Sequence, residues 1–396
     1  MICGVSAQHR TCGVDELLDQ AYASDPEIVE EFLSISDQPI ARTREMITLP
    51  VVVHIVYSED RSNISDFQVF SQMDALNEAF SGHVNLSEDI LDEHRDVIGD
   101  AKINFKLACS DPNGNPTNGI TRTQTDVADI GFLFERPGIY AVHHDEFGGK
   151  DPWPIDQYIN IWVAEMDRTL LGRSSLPFML GDPNQDGIVI SNLVFGFAGL
   201  APERPPYDLG RTLVHEMGHY LGLNHPWGGG GGNCVSDDGI DDTPDQSEIY
   251  YDCPSELTAN SCGSSDMTKN FMGYVDDACL QYFTQGQVNR MMNVLNGFRL
   301  SLLESDALDN CGSNVNDDGE ILLWNKINSR EWIAYFPNIQ QRISMRVYNM
   351  KGQLVLDANL QESDFVRIQM SSMPSGMYIA QFEFDDRFEQ RKINLF

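Results

Sequence analysis

The strongest pattern of apolar positions is the run ITLPVVVHIVY at residues 47–57, rich in β-branched side chains and long enough for a central strand. Ser65, with Gln68 three positions later, makes a capping-box pattern. Val69, Met73, Leu76 and Phe80 then recur at helical spacing. Ile103, Phe105 and Leu107 alternate like a half-buried strand, and YINIWV at 158–163 predicts another. A helix is expected from about Gly210 to Leu223, with Asp208 placed to cap it. A second capping-box pattern, Thr284 with Gln287, opens a helix carrying Val288, Met291, Met292 and Leu295. This order predicts an α+β, α/β-like fold around a mixed sheet.

Polar stretches divide the chain. Residues 1–44 are polar and acidic and read as a pro-segment, with IARTREM at 40–46 as an exposed, cleavable joint. Residues 45–305 read as the main domain and 306–322 as a linker. Residues 323–396 hold the short alternating runs ISMRVYNM, QLVLDA, FVRIQM and MYIAQFEF, parted by turn signals, and predict a small all-β sandwich.

Composition narrows the function. A net charge of −34 argues against a nucleic-acid partner, because a phosphate backbone needs a basic face. It is compatible with calcium, which takes carboxylate and carbonyl oxygens. No apolar run reaches the roughly 18 residues of a transmembrane helix. Met1 opens directly into ICGVSAQHR, without the n-region and h-region of a signal peptide, so the sequence is expected to start after an export signal. Four of the eight cysteines, Cys234, Cys253, Cys262 and Cys279, crowd a loop-rich stretch without a C-x-x-C pair. That reads as a disulfide framework and an oxidising compartment. Sequence alone allows three pairings of those four, and leaves Cys3, Cys109 and Cys311 unassigned.

The chemistry concentrates in His215-Glu216-Met217-Gly218-His219-Tyr220-Leu221-Gly222-Leu223-Asn224-His225. Residues four apart on a helix share a face, so His215 and His219 can hold one zinc ion. Glu216 points one step round and can serve a metal-bound water as general base. Gly222 lets the chain leave the helix through a positive φ, so that His225 can return as third ligand. Three protein ligands leave one coordination position open, the catalytic arrangement.

The spacing H-E-x-x-H-x-x-G-x-x-H is the metzincin signature. With RTCG at 10–13, TLPVVVHIVY, YINIWV, CVSDDGIDDTP and NFMGYVDDAC, the chain resembles the pappalysin family of that clan over roughly residues 8–300. The resemblance implies a zincin-type catalytic domain and a zinc endopeptidase. Met272 would floor the three histidines, and Tyr274 would stabilise the oxyanion. Asp277 would lie at the base of the S1′ pocket and select Arg or Lys. Cys12 would be a cysteine switch, occupying the fourth zinc position in a latent zymogen. The family pairing implies Cys234–Cys262 and Cys253–Cys279, and Asp238 and Thr243 fall where the family binds calcium. The run Gly228–Gly232 departs from the family in length. If Asp277 selects Arg, the chain could cut its own joint at Ala41–Arg42 or Thr43–Arg44.

Residues 335–396 resemble the C-terminal sorting domain of type IX secretion in Bacteroidetes-type bacteria. Export through the periplasm to the medium or cell surface is therefore expected, with the secretion machinery and protein or peptide substrates as partners. The alternative is an inactive metzincin-like adhesin, and retention of Glu216 and all three histidines argues against it.

Overall fold

The computed structural model describes residues 11–14, 27, 34, 35, 37 and 46–395, except 83, 137, 167–169, 178–181, 229–232, 236, 310, 312–321, 326–330, 336–342, 361–364, 371 and 385–387. The joint at 40–45 and most of the glycine run after Gly228 lie outside the described residues. The chain divides into two compact units, residues 1–309 and 310–396.

The first unit is built on a six-stranded sheet. Its central strand β1 (Ile47–Tyr57) is buried over eight consecutive residues. A strand covered on both faces reads as a continuous apolar run rather than an alternation. On one edge of β1, β2 (Ile103–Leu107) pairs with Ile47–Val51 and β3 (Ile120–Gln124) with Val53–Tyr57, both parallel. On the other edge β4 (Ile159–Ala164) is also parallel. The edge strand β5 (Gly172–Ser174) runs antiparallel to β6 (Ile188–Ser191), which itself is parallel to β4. The sheet is therefore mixed, and among the described residues β5 is its one reversed strand.

Helix α1 (Asp66–Phe80) starts at Ser65, whose side chain accepts from Gln68 N. Gln68 does not complete the box. Its amide donates to the carbonyls of Asn192 and Phe195 at 3.0 and 2.9 Å, and its oxygen accepts from Leu200 N at 2.9 Å. Gln72 does the same one turn on, donating to Gly210 O at 3.0 Å. Glu78 pairs with Arg211 at 2.8 Å in a buried contact. Helix α1 thus fixes the start of helix α2 (Arg211–Tyr220) through buried polar groups that satisfy each other.

Helix α3 (Gln285–Leu295) closes this unit, and its capping box, Thr284 with Gln287, is complete.

The second unit is all-β. One sheet holds β7 (Leu322–Asn325), β8 (Glu331–Tyr335) and β11 (Phe365–Gln369); the other holds β9 (Ile343–Asn349), β10 (Leu354–Leu360), β12 (Gly376–Glu383) and β13 (Phe388–Leu395). All pairings are antiparallel. Ala334 and Ile368 of the first sheet share one core with Met345, Val347, Ala380, Phe382 and Ile393 of the second, which makes a sandwich.

Candidate metal centre and active site

Helix α2 is shorter than its sequence pattern suggests, and Asp208 does not cap it. Gly210 occupies the N-cap position with no side-chain bond. The acceptor comes instead from Asp277, whose Oδ2 receives Leu209 N at 2.9 Å and Arg211 N at 3.2 Å. A buried carboxylate here satisfies orphan donors and complements the helix dipole. Asp208 lies near enough to Asp277 that burial, and then that like charge, raises its own pKa.

The other end of α2 is a Schellman turn. Leu223 N donates to Gly218 O at 2.9 Å and Gly222 N to His219 O at 2.9 Å, with Gly222 at φ +92°. The reversal does two jobs. It returns His225 to the helix face, and it brings Leu223 O to within 2.8 Å of His219 Nδ1.

His215 Nδ1 meets Phe271 O at 2.9 Å. With Nδ1–H donated to a carbonyl on both His215 and His219, their Nε2 atoms carry lone pairs. Yet the Nε2 atoms of His215, His219 and His225 lie 3.1–3.2 Å from one another. Lone pairs at that distance repel unless something electrophilic sits between them. Three nitrogens at the Zn–N distance in a tetrahedral array would be about 3.3 Å apart, so the triad fits zinc. The carbonyls of Phe271 and Leu223 fix the tautomer and ring orientation of His215 and His219.

The Sγ of Cys12 completes this group: the four ligand atoms all lie within 4.8 Å of one another. Cys12 reaches the site because its segment adds to the sheet. It bridges Gly172 on β5 in the parallel sense, and Gly13 N donates to Gly172 O at 3.2 Å. Its Sγ is 3.4 Å from Glu216 Oε2, and its N–H points at Tyr274 Oη at 3.3 Å. Cys12 is a thiol, outside the disulfides. Glu216 is fully buried.

Met272 is fully buried and packs against helix α2 at Gly218. A Cβ on Gly218 would stand 2.4 Å from Met272 Sδ, so any larger residue between the two histidines must displace the thioether. The Tyr274 ring packs 4.9 Å from His225 and 5.7 Å from His215, and Trp227 stacks on His225 at 4.6 Å.

The loop after His225 is tied by Cys234–Cys262 and Cys253–Cys279. Within it Asp238 and Thr243 come together. Thr243 Oγ1 lies 2.7 and 2.9 Å from the two Asp238 carboxylate oxygens and 2.8 Å from Ile240 O. One hydroxyl proton cannot serve three acceptors. Burial pushes the Asp238 carboxyl up to about 8.

Two relationships join residues well apart in the sequence. One is the Asp277 cap, whose carboxylate comes from 66 residues beyond Arg211. The other joins Asn270 to Gln287 through paired amide bonds at 2.9 and 3.1 Å. A glycine ahead of α2, where a capping side chain is usual, is the one hint of the former.

Comparison with known proteins agrees with this geometry. The family model described as pregnancy-associated plasma protein-A, peptidase M43, matches residues 143–296. The secretion system C-terminal sorting domain matches residues 331–395. Mature mirolysin of Tannerella forsythia, solved with a cleaved peptide, is 40% identical, with a TM-score of 0.62 over 67% of this chain and 98% of that one. A promirolysin mutant from the same organism is 36% identical, with a TM-score of 0.66 over 75% and 98%. An extracellular metalloprotease of Arthroderma benhamiae is 29% identical over 74% of this chain and 93% of its own length.

Proposed function

This chain belongs to the pappalysin family of metzincin metallopeptidases and ends in a secretion sorting domain, and on that premise we propose how it works as a latent secreted zinc endopeptidase. The observation that carries the reading is the meeting of three histidine Nε2 atoms, the Glu216 carboxylate and the Cys12 thiol at one point. His215, His219 and His225 hold the zinc, which acts as Lewis acid and acidifies water when bound. Glu216 takes the proton from the attacking water and passes it to the leaving amine. The Tyr274 phenol donates to the oxyanion that develops on the scissile carbonyl.

In the latent chain Cys12 engages the same groups. Its Sγ stands beside Glu216 and its N–H uses the Tyr274 oxygen, so one residue meets metal, base and oxyanion donor together. Cleavage at Ala41–Arg42 or Thr43–Arg44 would release it. Hydrolysis of casein that disappears in Glu216→Ala tests the reading; undiminished hydrolysis by that variant contradicts it.

Selection of Arg or Lys at the first position after the scissile bond is assigned to Asp277. Its support is a buried carboxylate at the start of the zinc helix, able to pair with a basic side chain. Asp277→Asn should flatten the preference for basic residues at that position in a peptide library. Asp238, Thr243 and Ile240 O are assigned to a calcium ion, because their clustered oxygens suit a hard cation. The sorting domain is the address read by a type IX secretion system of a Bacteroidetes-type bacterium.

A further inference from the structure

The prosegment covers more than the metal. Cys12 and Val14 share one apolar cluster with Leu176, Trp227 and Tyr274, and Ile35, Ile249 and Tyr251 pack against it. Three of these residues belong to the prosegment and five to the catalytic unit. Without the prosegment these five would line a recess beside the metal centre, since Trp227 and Tyr274 both pack on His225. Polar anchoring accompanies the apolar contact. Arg290, fully buried on α3, donates from Nε and Nη2 to Ile35 O at 3.2 and 3.0 Å. Its Nη1 donates to Asp238 O at 2.8 Å, which fixes the guanidinium from the catalytic unit's own side.

Loss of the prosegment would leave an apolar hollow beside a fork of donors set for a main-chain carbonyl. We propose that this recess is a substrate subsite: it takes a large apolar side chain two or three residues before the scissile bond, while Arg290 donates to a substrate main-chain carbonyl as it does to Ile35. The proposal rests on the peptidase reading above. The side of the scissile bond follows from strand direction. Cys12 pairs with Gly172 in the parallel sense, and the cluster lies farther along that direction, at Val14 and Leu176. A substrate added to β5 antiparallel, the better-bonded arrangement, runs the other way. Residues beside Leu176 then precede the residue at the metal.

The test uses the full chain after limited tryptic removal of the prosegment, with the new N-terminus sequenced. It is given a peptide library randomised on both sides of the cleaved bond. Leu, Ile, Phe or Tyr should exceed Ala and Asp by about tenfold at the second or third position before the cut. Leu176→Gln, and independently Tyr251→Asn, should reduce that enrichment several-fold. Arg290→Met should raise KM for the preferred peptides; an unchanged KM in a variant that melts like wild type removes Arg290 from the subsite. A flat profile at those two positions, or apolar enrichment only after the cut, overturns the subsite while leaving the peptidase intact. Absence of any Glu216-dependent cleavage overturns the peptidase reading and the subsite with it.

Discussion

Asn270 and Gln287 exchange hydrogen bonds through their side-chain amides, and this pair ties the segment leading to Phe271 and Met272 to the cap of the closing helix. Gln287 Oε1 also accepts from Thr284 N, and Asn270 Oδ1 from Met272 N, both at 2.9 Å. The next carbonyl in the chain, Phe271 O, orients His215. Replacing either amide leaves buried partners unsatisfied at a cost of about 1–3 kcal/mol. Asn270→Ala and Gln287→Ala should each lower the denaturant midpoint and weaken zinc retention against a chelator. The double variant should cost less than the sum of the singles, because both break one network.

Gly218 and Met272 make a second coupled pair. Gly218→Ala forces a methyl into the Met272 thioether, and overpacking of this kind costs about 1–3 kcal/mol. Adding Met272→Ala should recover part of the loss. Thermal melts of the two singles and the double read the coupling directly; strict additivity would mean that the contact is relieved elsewhere.

In the proposed mechanism latency depends on the Cys12 sulfur. Cys12→Ala in the full chain should raise basal hydrolysis of a fluorogenic peptide, since each 1.4 kcal/mol lost from prosegment docking is about tenfold in uncovered sites. Val14 and Ile35 still hold the segment, so Cys12→Ala combined with Ile35→Asp should exceed Cys12→Ala alone. Equal rates would assign all of the latency to the thiol.

His54 sets an acid limit on stability. It is buried in β1, with Nε2 at 3.0 Å from Asn160 Oδ1 and Nδ1 at 2.7 Å from Thr121 Oγ1, and burial lowers its pKa to about 4. Between about pH 6.5 and 4 the unfolded chain binds a proton that the folded chain does not. Stability from this group is therefore complete above pH 6.5 and falls as the pH drops toward 4, by up to about 3 kcal/mol. Chemical denaturation across that range should show the loss, and His54→Gln should flatten it.

Much of this was legible in the sequence because it is local. The run 47–57, the period of Val69 to Phe80 and the Thr284–Gln287 box each depend on neighbours within a few residues, and each became the element its pattern describes. The two histidines of α2 share a face for the same reason. The cap of α2 was misread, because Asp208 is near in sequence while Asp277 is near in space. Gln68 likewise abandons its box for three groups of the 192–200 loop. In the second unit the runs at 343, 353, 365 and 377 stand out, whereas β7, β8 and β13 carry charge or aromatic side chains that blur the alternation. Docking of Ile35 on Arg290 joins residues 255 apart, and no periodicity records it.

X-ray absorption at the zinc edge of the full-length secreted chain tests the central claim most directly. The predicted first shell has three nitrogens at about 2.0–2.1 Å and one sulfur at about 2.3 Å. The sulfur should vanish in Cys12→Ala and after prosegment removal, leaving the nitrogens in place. A chain that retains no zinc, or one whose zinc shows no sulfur before processing, would contradict the account.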